Sequence, residues 1–106
     1  VSAFERGFIL ENPHPPSKHG MIGHFHADKT HDTLDRLGTI AVPTLITSGE
    51  LDWQVPILYG IDVQQRIPDA TMHVFRGPNS SHIAFYEIAG EWNEFTLAWL
   101  QRQDAL

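Results

Sequence analysis

The sequence predicts an α/β protein in which two parallel strands alternate with two helices. Three observations carry that expectation. The run Val42-Pro43-Thr44-Leu45-Ile46-Thr47-Ser48 is apolar and β-branched without clean alternation, as in a strand covered on both faces. The run Thr71-Met72-His73-Val74-Phe75 alternates better and reads as a strand nearer a sheet edge. Trp92, Phe95, Ala98 and Trp99 recur at three- and four-residue spacing, which defines one apolar face of a helix. Strand, helix, strand, helix implies parallel strands joined by a right-handed crossover.

Residues 1–32 show little periodicity, and Asn12-Pro13-His14-Pro15-Pro16 must be irregular, because each proline fixes its own φ and displaces its predecessor from helical geometry. Thr33 to Leu37 suits one or two helical turns, with Asp32 as cap and Gly38 as stop. The first strand covers residues 43–48 and ends at Gly49. Pro56 fits a first helical turn, and Ile57 to Arg66 can be helical until Pro68 stops it. In the last helix Glu91, Glu94, Gln101 and Arg102 face away from the apolar stripe. The chain thus divides near residue 33, into a segment 1–32 and a core 33–106.

Two parallel strands alone make a poor sheet, since parallel sheets are normally larger and buried on both faces. The first strand is therefore expected to pair with a strand outside these 106 residues, in the N-terminal part of the same fold. The alternative is a non-catalytic remnant that binds or dimerises through the exposed strand edge.

Composition narrows the function classes. The chain is 42% hydrophobic and 19% charged, as globular proteins are. Thirteen acids against seven bases give a net charge of −6, which argues against nucleic acid or an anionic membrane as partner. Without cysteine there is no disulfide framework and no thiolate chemistry. No apolar stretch approaches the ~20 residues of a spanning helix, and Val1-Ser2-Ala3-Phe4-Glu5-Arg6 does not resemble a secretory leader. A cytoplasmic location is the expectation.

The chemistry lies between the strands. In open α/β sheets functional groups collect at the carboxyl ends of strands. Asp52 follows Gly49 by three residues, and His82 follows Phe75 by seven, in a loop that Gly77, Pro78 and Asn79 can bend back. A carboxylate beside an imidazole fixes its tautomer and stabilises the imidazolium formed when a nucleophile gives up its proton. Glu50 is the rival acid. Ser80 and Ser81 are rival nucleophiles, but neither sits on a strand-to-helix elbow, and both read as loop hydrogen-bonders. His24-Phe25-His26, if extended, would put two imidazoles on one side near Asp28 and His31. Such ligands can hold zinc, but convergence is not readable from spacing, so neither metal nor cofactor is expected.

Val42-Pro43-Thr44-Leu45-Ile46-Thr47-Ser48-Gly49-Glu50-Leu51-Asp52 with Val55-Pro56, and Val74-Phe75 through Ser80-Ser81-His82 with Phe85-Tyr86-Glu87, resemble the acid and histidine segments of the α/β-hydrolase superfamily. Within it the sequence is most similar to the proline iminopeptidase group, over roughly residues 39–102. The resemblance implies that Asp52 is the triad acid and His82 the triad base. It also implies that the chain is the C-terminal portion of an α/β-hydrolase fold, with 1–32 as the tail of a cap. The superfamily's order is nucleophile, acid, histidine, so the nucleophile and oxyanion hole would lie upstream of Val1. One position departs from the group. The residue after its triad acid is typically a glutamate that binds the substrate's amino group, and here it is Trp53. An indole cannot neutralise an ammonium, although it offers a cation–π face, so Trp53 is the candidate substrate-binding residue. The implied activity is that of a serine-type peptidase, amidase or esterase acting on a small molecule or short peptide, with epoxide hydrolysis also open.

Overall fold

The computed structural model of the chain describes residue 6 and residues 11–104. Val1 to Glu5, in which a leader was sought, lie outside the described residues. The chain forms two compact units, Val1–Asp32 and Thr33–Leu106.

In the first unit residues 12–16 are irregular, as the prolines require, and a helix follows that the weak periodicity did not signal. Helix α1 runs Lys18–Thr30. Ser17 is its N-cap, the side-chain oxygen accepting the Gly20 N–H at 3.0 Å. This satisfies one of the donors that a helix start leaves unpaired. None of the residues of α1 is buried. The extended His24-Phe25-His26 geometry is corrected, because residues two apart on a helix point about 200° apart. His24 instead meets Asp28 one turn on, at 3.4 Å. Among the described residues no three His, Asp or Glu side chains are placed to hold a metal.

The second unit opens with a 3-10 helix, Leu34–Thr39. The cap position falls on Thr33, not Asp32, and the helix runs through Gly38. The Thr39 hydroxyl donates back to the Arg36 carbonyl at 2.7 Å, which carries the turn one residue past the expected stop.

Strand β1 is Thr44–Gly49 and strand β2 is Ala70–Phe75. They pair in parallel, from Thr44 opposite Ala70 to Gly49 opposite Phe75. Helix α2, Ile57–Arg66, makes the crossover. Pro56 sits at its cap position and Ile67, buried, closes its end. The side chain of Met72 reaches α2 at Gly60. Its neighbours on the other face, His73 and Phe75, meet Phe95 of helix α4, Ala89–Asp104. The His73 and Phe95 rings stack at 3.7 Å, and Phe75 meets Phe95 edge-on at 5.8 Å. The alternation of β2 therefore sends its side chains to a helix on each face. Trp92, Phe95 and Ala98 are half-buried and Trp99 is buried, while Glu91, Glu94, Gln101 and Arg102 are exposed, as the spacing predicts. A short helix that the sequence did not signal, α3, spans Ala84–Glu87.

β1 differs from expectation in burial. Thr44 to Ser48 are only half-buried. The sheet has two strands, and among the described residues no strand pairs with the edge of β1 opposite β2. Among the described residues no helix is long and apolar enough to cross a membrane.

Candidate active site

The two strand ends are joined by backbone. The Glu50 N–H donates to the Phe75 carbonyl at 2.8 Å, and the Leu51 N–H to the Ser80 carbonyl at 2.9 Å. Gly49 is buried against the Ser80–Ser81 backbone so closely that a Cβ there would overlap the Ser80 carbonyl oxygen. Gly77, at φ 106°, adopts a left-handed conformation that favours glycine and turns the chain after β2. The loop is closed by Ser80, whose fully buried hydroxyl donates to the Gly77 carbonyl at 2.7 Å.

This stitching brings Asp52 and His82 together. His82 Nδ1 lies 3.0 Å from Asp52 Oδ2. The other carboxylate oxygen, Oδ1, accepts the N–H groups of Val55 and Gln54 at 2.8 and 3.0 Å. Asp52 thus caps its own turn, and the same turn aims its second oxygen at the imidazole. The Asp52 side chain is 8% exposed and that of His82 41%. The carboxylate is anchored while one edge of the ring stays open.

Burial alone would raise the Asp52 pKa. The Val55 N–H, the His82 hydrogen bond, the Gln54 N–H and the charge of His82 outweigh it and hold the carboxyl below its ordinary value. The group is therefore a carboxylate at neutral pH and can only accept. Nδ1 must then carry the proton, which leaves the lone pair of the neutral ring on Nε2. An imidazole so held accepts a proton at Nε2.

Linkage gives a prediction. A carboxyl with a lowered folded pKa adds stability that is complete above its ordinary value of 3.8 and lost as the pH falls through the lower folded value. In urea unfolding from about pH 6 down to about pH 2.5, the stability advantage of the wild type over Asp52→Asn is expected to shrink in the acid limb. A difference independent of pH would contradict the assigned shift.

The other candidates are placed elsewhere. The carboxylate of Glu50 pairs with Arg76 Nη1 at 2.6 Å and accepts the Gly77 N–H at 3.4 Å, so it ties the two strand ends together and makes no bond to His82. Ser81 Oγ accepts the Ile83 N–H at 3.3 Å, and neither Ser80 nor Ser81 is bonded to His82. Trp53, beside Asp52 in the turn, is 81% exposed. Glu87 carries a contact that spacing alone did not reveal: its Oε2 accepts the Ser81 N–H at 3.0 Å.

No protein-family model matches the chain. Curated relatives do. The chain is 41% identical over 69 residues to a 2-hydroxy-6-oxo-6-phenylhexa-2,4-dienoate hydrolase of Burkholderia cepacia, covering 65% of this chain and 23% of that protein. It is 40% identical over 65 residues to a 2-hydroxy-6-oxononadienedioate/2-hydroxy-6-oxononatrienedioate hydrolase of Comamonas testosteroni, covering 61% and 22%. It is 33% identical over 96 residues to a proline iminopeptidase of Lacticaseibacillus rhamnosus, covering 91% and 30%. The chain spans less than a third of the length of these curated relatives. On these likenesses and on its parallel strand–helix–strand–helix core, the chain belongs to the α/β-hydrolase superfamily.

Proposed function

We propose that this chain supplies the acid and base of a serine-type hydrolase whose nucleophile and oxyanion hole come from sequence outside these 106 residues. The observation that carries the reading is the 3.0 Å bond between Asp52 Oδ2 and His82 Nδ1, with Nε2 left as the basic nitrogen. In the reaction His82 Nε2 takes the proton of a serine hydroxyl as its oxygen attacks a carbonyl. Asp52 stabilises the resulting imidazolium, which then gives the proton to the leaving group. Water, deprotonated by the same nitrogen, releases the acyl group. In this reading residues 1–32 belong to the end of a cap segment, the substrate is a small molecule or short peptide, and the protein acts in the cytoplasm. Nucleic acid and membrane are not partners.

Two substrate readings divide at Trp53. A proline iminopeptidase-like activity is supported by the similarity along 91% of the chain. A hydrolase of 2-hydroxy-6-oxo-dienoates is supported by the higher identity to such relatives. The second is favoured at one position: an uncharged, exposed indole follows Asp52, where an amine-binding site would use a carboxylate.

The 106-residue chain tests the division of labour. Alone, it is expected to release p-nitrophenol from p-nitrophenyl acetate no faster than buffer does. A burst of product that His82→Ala abolishes would place a working nucleophile inside this sequence and overturn the proposal.

A further inference from the structure

Among the described residues, four of the hydrogen bonds around His82 fix the backbone of Ser80, Ser81 and Ile83. The Leu51 N–H reaches the Ser80 carbonyl, the Ala84 N–H reaches the Ser81 carbonyl at 3.1 Å, and the Ile83 N–H reaches Ser81 Oγ. The fourth is the Ser81 N–H, which donates to Glu87 Oε2 at 3.0 Å. Only this last acceptor is charged, and hydrogen bonds to charged acceptors are about twice as strong as neutral ones. Glu87 ends α3, and that helix is anchored by its own bonds: the Glu87 N–H donates to the Ile83 carbonyl at 3.0 Å, and buried Ala84 accepts the Ile88 N–H at 2.9 Å. The segment 81–87 is thus a closed ring with His82 at its free edge. The imidazole is 41% exposed, with a single hydrogen bond of its own among the described residues. Its direction therefore depends on the backbone that carries it.

We propose that Glu87 is a positioning residue for His82: its carboxylate fixes the Ser81 amide, and so the backbone from which the imidazole reaches Asp52. The catalytic consequence rests on the hydrolase reading given above, whereas the positioning does not. The side-chain amide of a Glu87→Gln variant keeps an oxygen that can accept the Ser81 N–H, whereas Glu87→Ala removes the acceptor altogether.

The test uses the full chain. Amide hydrogen exchange at Ser81 and the ring ¹⁵N shifts of His82 are compared in wild type, Glu87→Gln and Glu87→Ala, with the Phe75 and Trp99 amides reporting the fold. Glu87→Ala is expected to speed Ser81 exchange about tenfold or more and to mix the His82 tautomers, while Glu87→Gln stays near wild type. A released Ser81 amide with an unchanged His82 ring would reduce Glu87 to a loop brace and overturn the proposal. An unchanged Ser81 amide would overturn it at the first step. If Glu87→Ala does not fold, Glu87→Asp decides, because its shorter side chain draws the acceptor away from the Ser81 amide: faster Ser81 exchange with mixed His82 tautomers supports the proposal, and unchanged values contradict it. Failure of the hydrolase reading would show separately, as a wild-type His82 ring coupled to Asp52 in a protein whose hydrolysis His82→Ala leaves intact.

Discussion

On the proposed hydrolase reading, replacing His82 with alanine is expected to lower kcat by about a millionfold, and Asp52→Asn by about ten thousandfold. The two effects have different causes. Without His82 no group takes the proton from the nucleophile. Without the Asp52 carboxylate, the ring loses the acceptor that holds its proton on Nδ1 at 3.0 Å, and Nε2 is no longer reliably the base. The double variant is expected to be no worse than His82→Ala, because the two residues act as one unit. Glu50→Gln is the control. Its carboxylate serves a surface pair with Arg76, an interaction worth under about 1 kcal/mol, so kcat should not move. Steady-state kinetics on an activated ester check all four variants. Loss of activity in Glu50→Gln comparable to that in Asp52→Asn would assign the acid wrongly.

Gly49→Ala is the second large expectation, and its effect is on folding. A Cβ at this position would overlap the Ser80 carbonyl oxygen and lie 2.5 Å from that of Ser81 and 2.7 Å from the Ser80 carbonyl carbon. All three are backbone atoms, so no side chain can rotate away. The loops of Asp52 and His82 must separate, and the Leu51 to Ser80 bond breaks with them. Destabilisation of about 3 kcal/mol or more is expected, a large part of the 5–15 kcal/mol that typically holds a domain. Urea unfolding measures it. A loss under about 1 kcal/mol would mean that the two backbones are not in contact.

The same residues mark where the sequence was legible. β1, α2, β2 and α4 were readable because each carries buried or half-buried apolar residues between plain terminators, Gly49, Pro56 and Pro68 among them. Helix α1 escaped because it buries nothing. Its polar and apolar residues follow no stripe, and Ser17, which caps it, was not read as a helix start. Asp52 and His82 were legible as a carboxylate and an imidazole just past the strand ends, and the 3.0 Å between them rests on contacts that no local pattern records. Gly49 read as the end of a strand, yet its partner is backbone 31 residues further on. Glu87 read as part of a segment, yet its role is an acceptor for an amide six residues back.

The most direct measurement of the central claim is the tautomer of His82, read from its ring ¹⁵N shifts at neutral pH in the full chain. The proton is expected on Nδ1 with Nε2 bare, and Asp52→Asn is expected to remove that preference. An Nε2–H tautomer in the wild type, or a preference unaltered by Asp52→Asn, would contradict the assignment of Asp52 and His82 as acid and base.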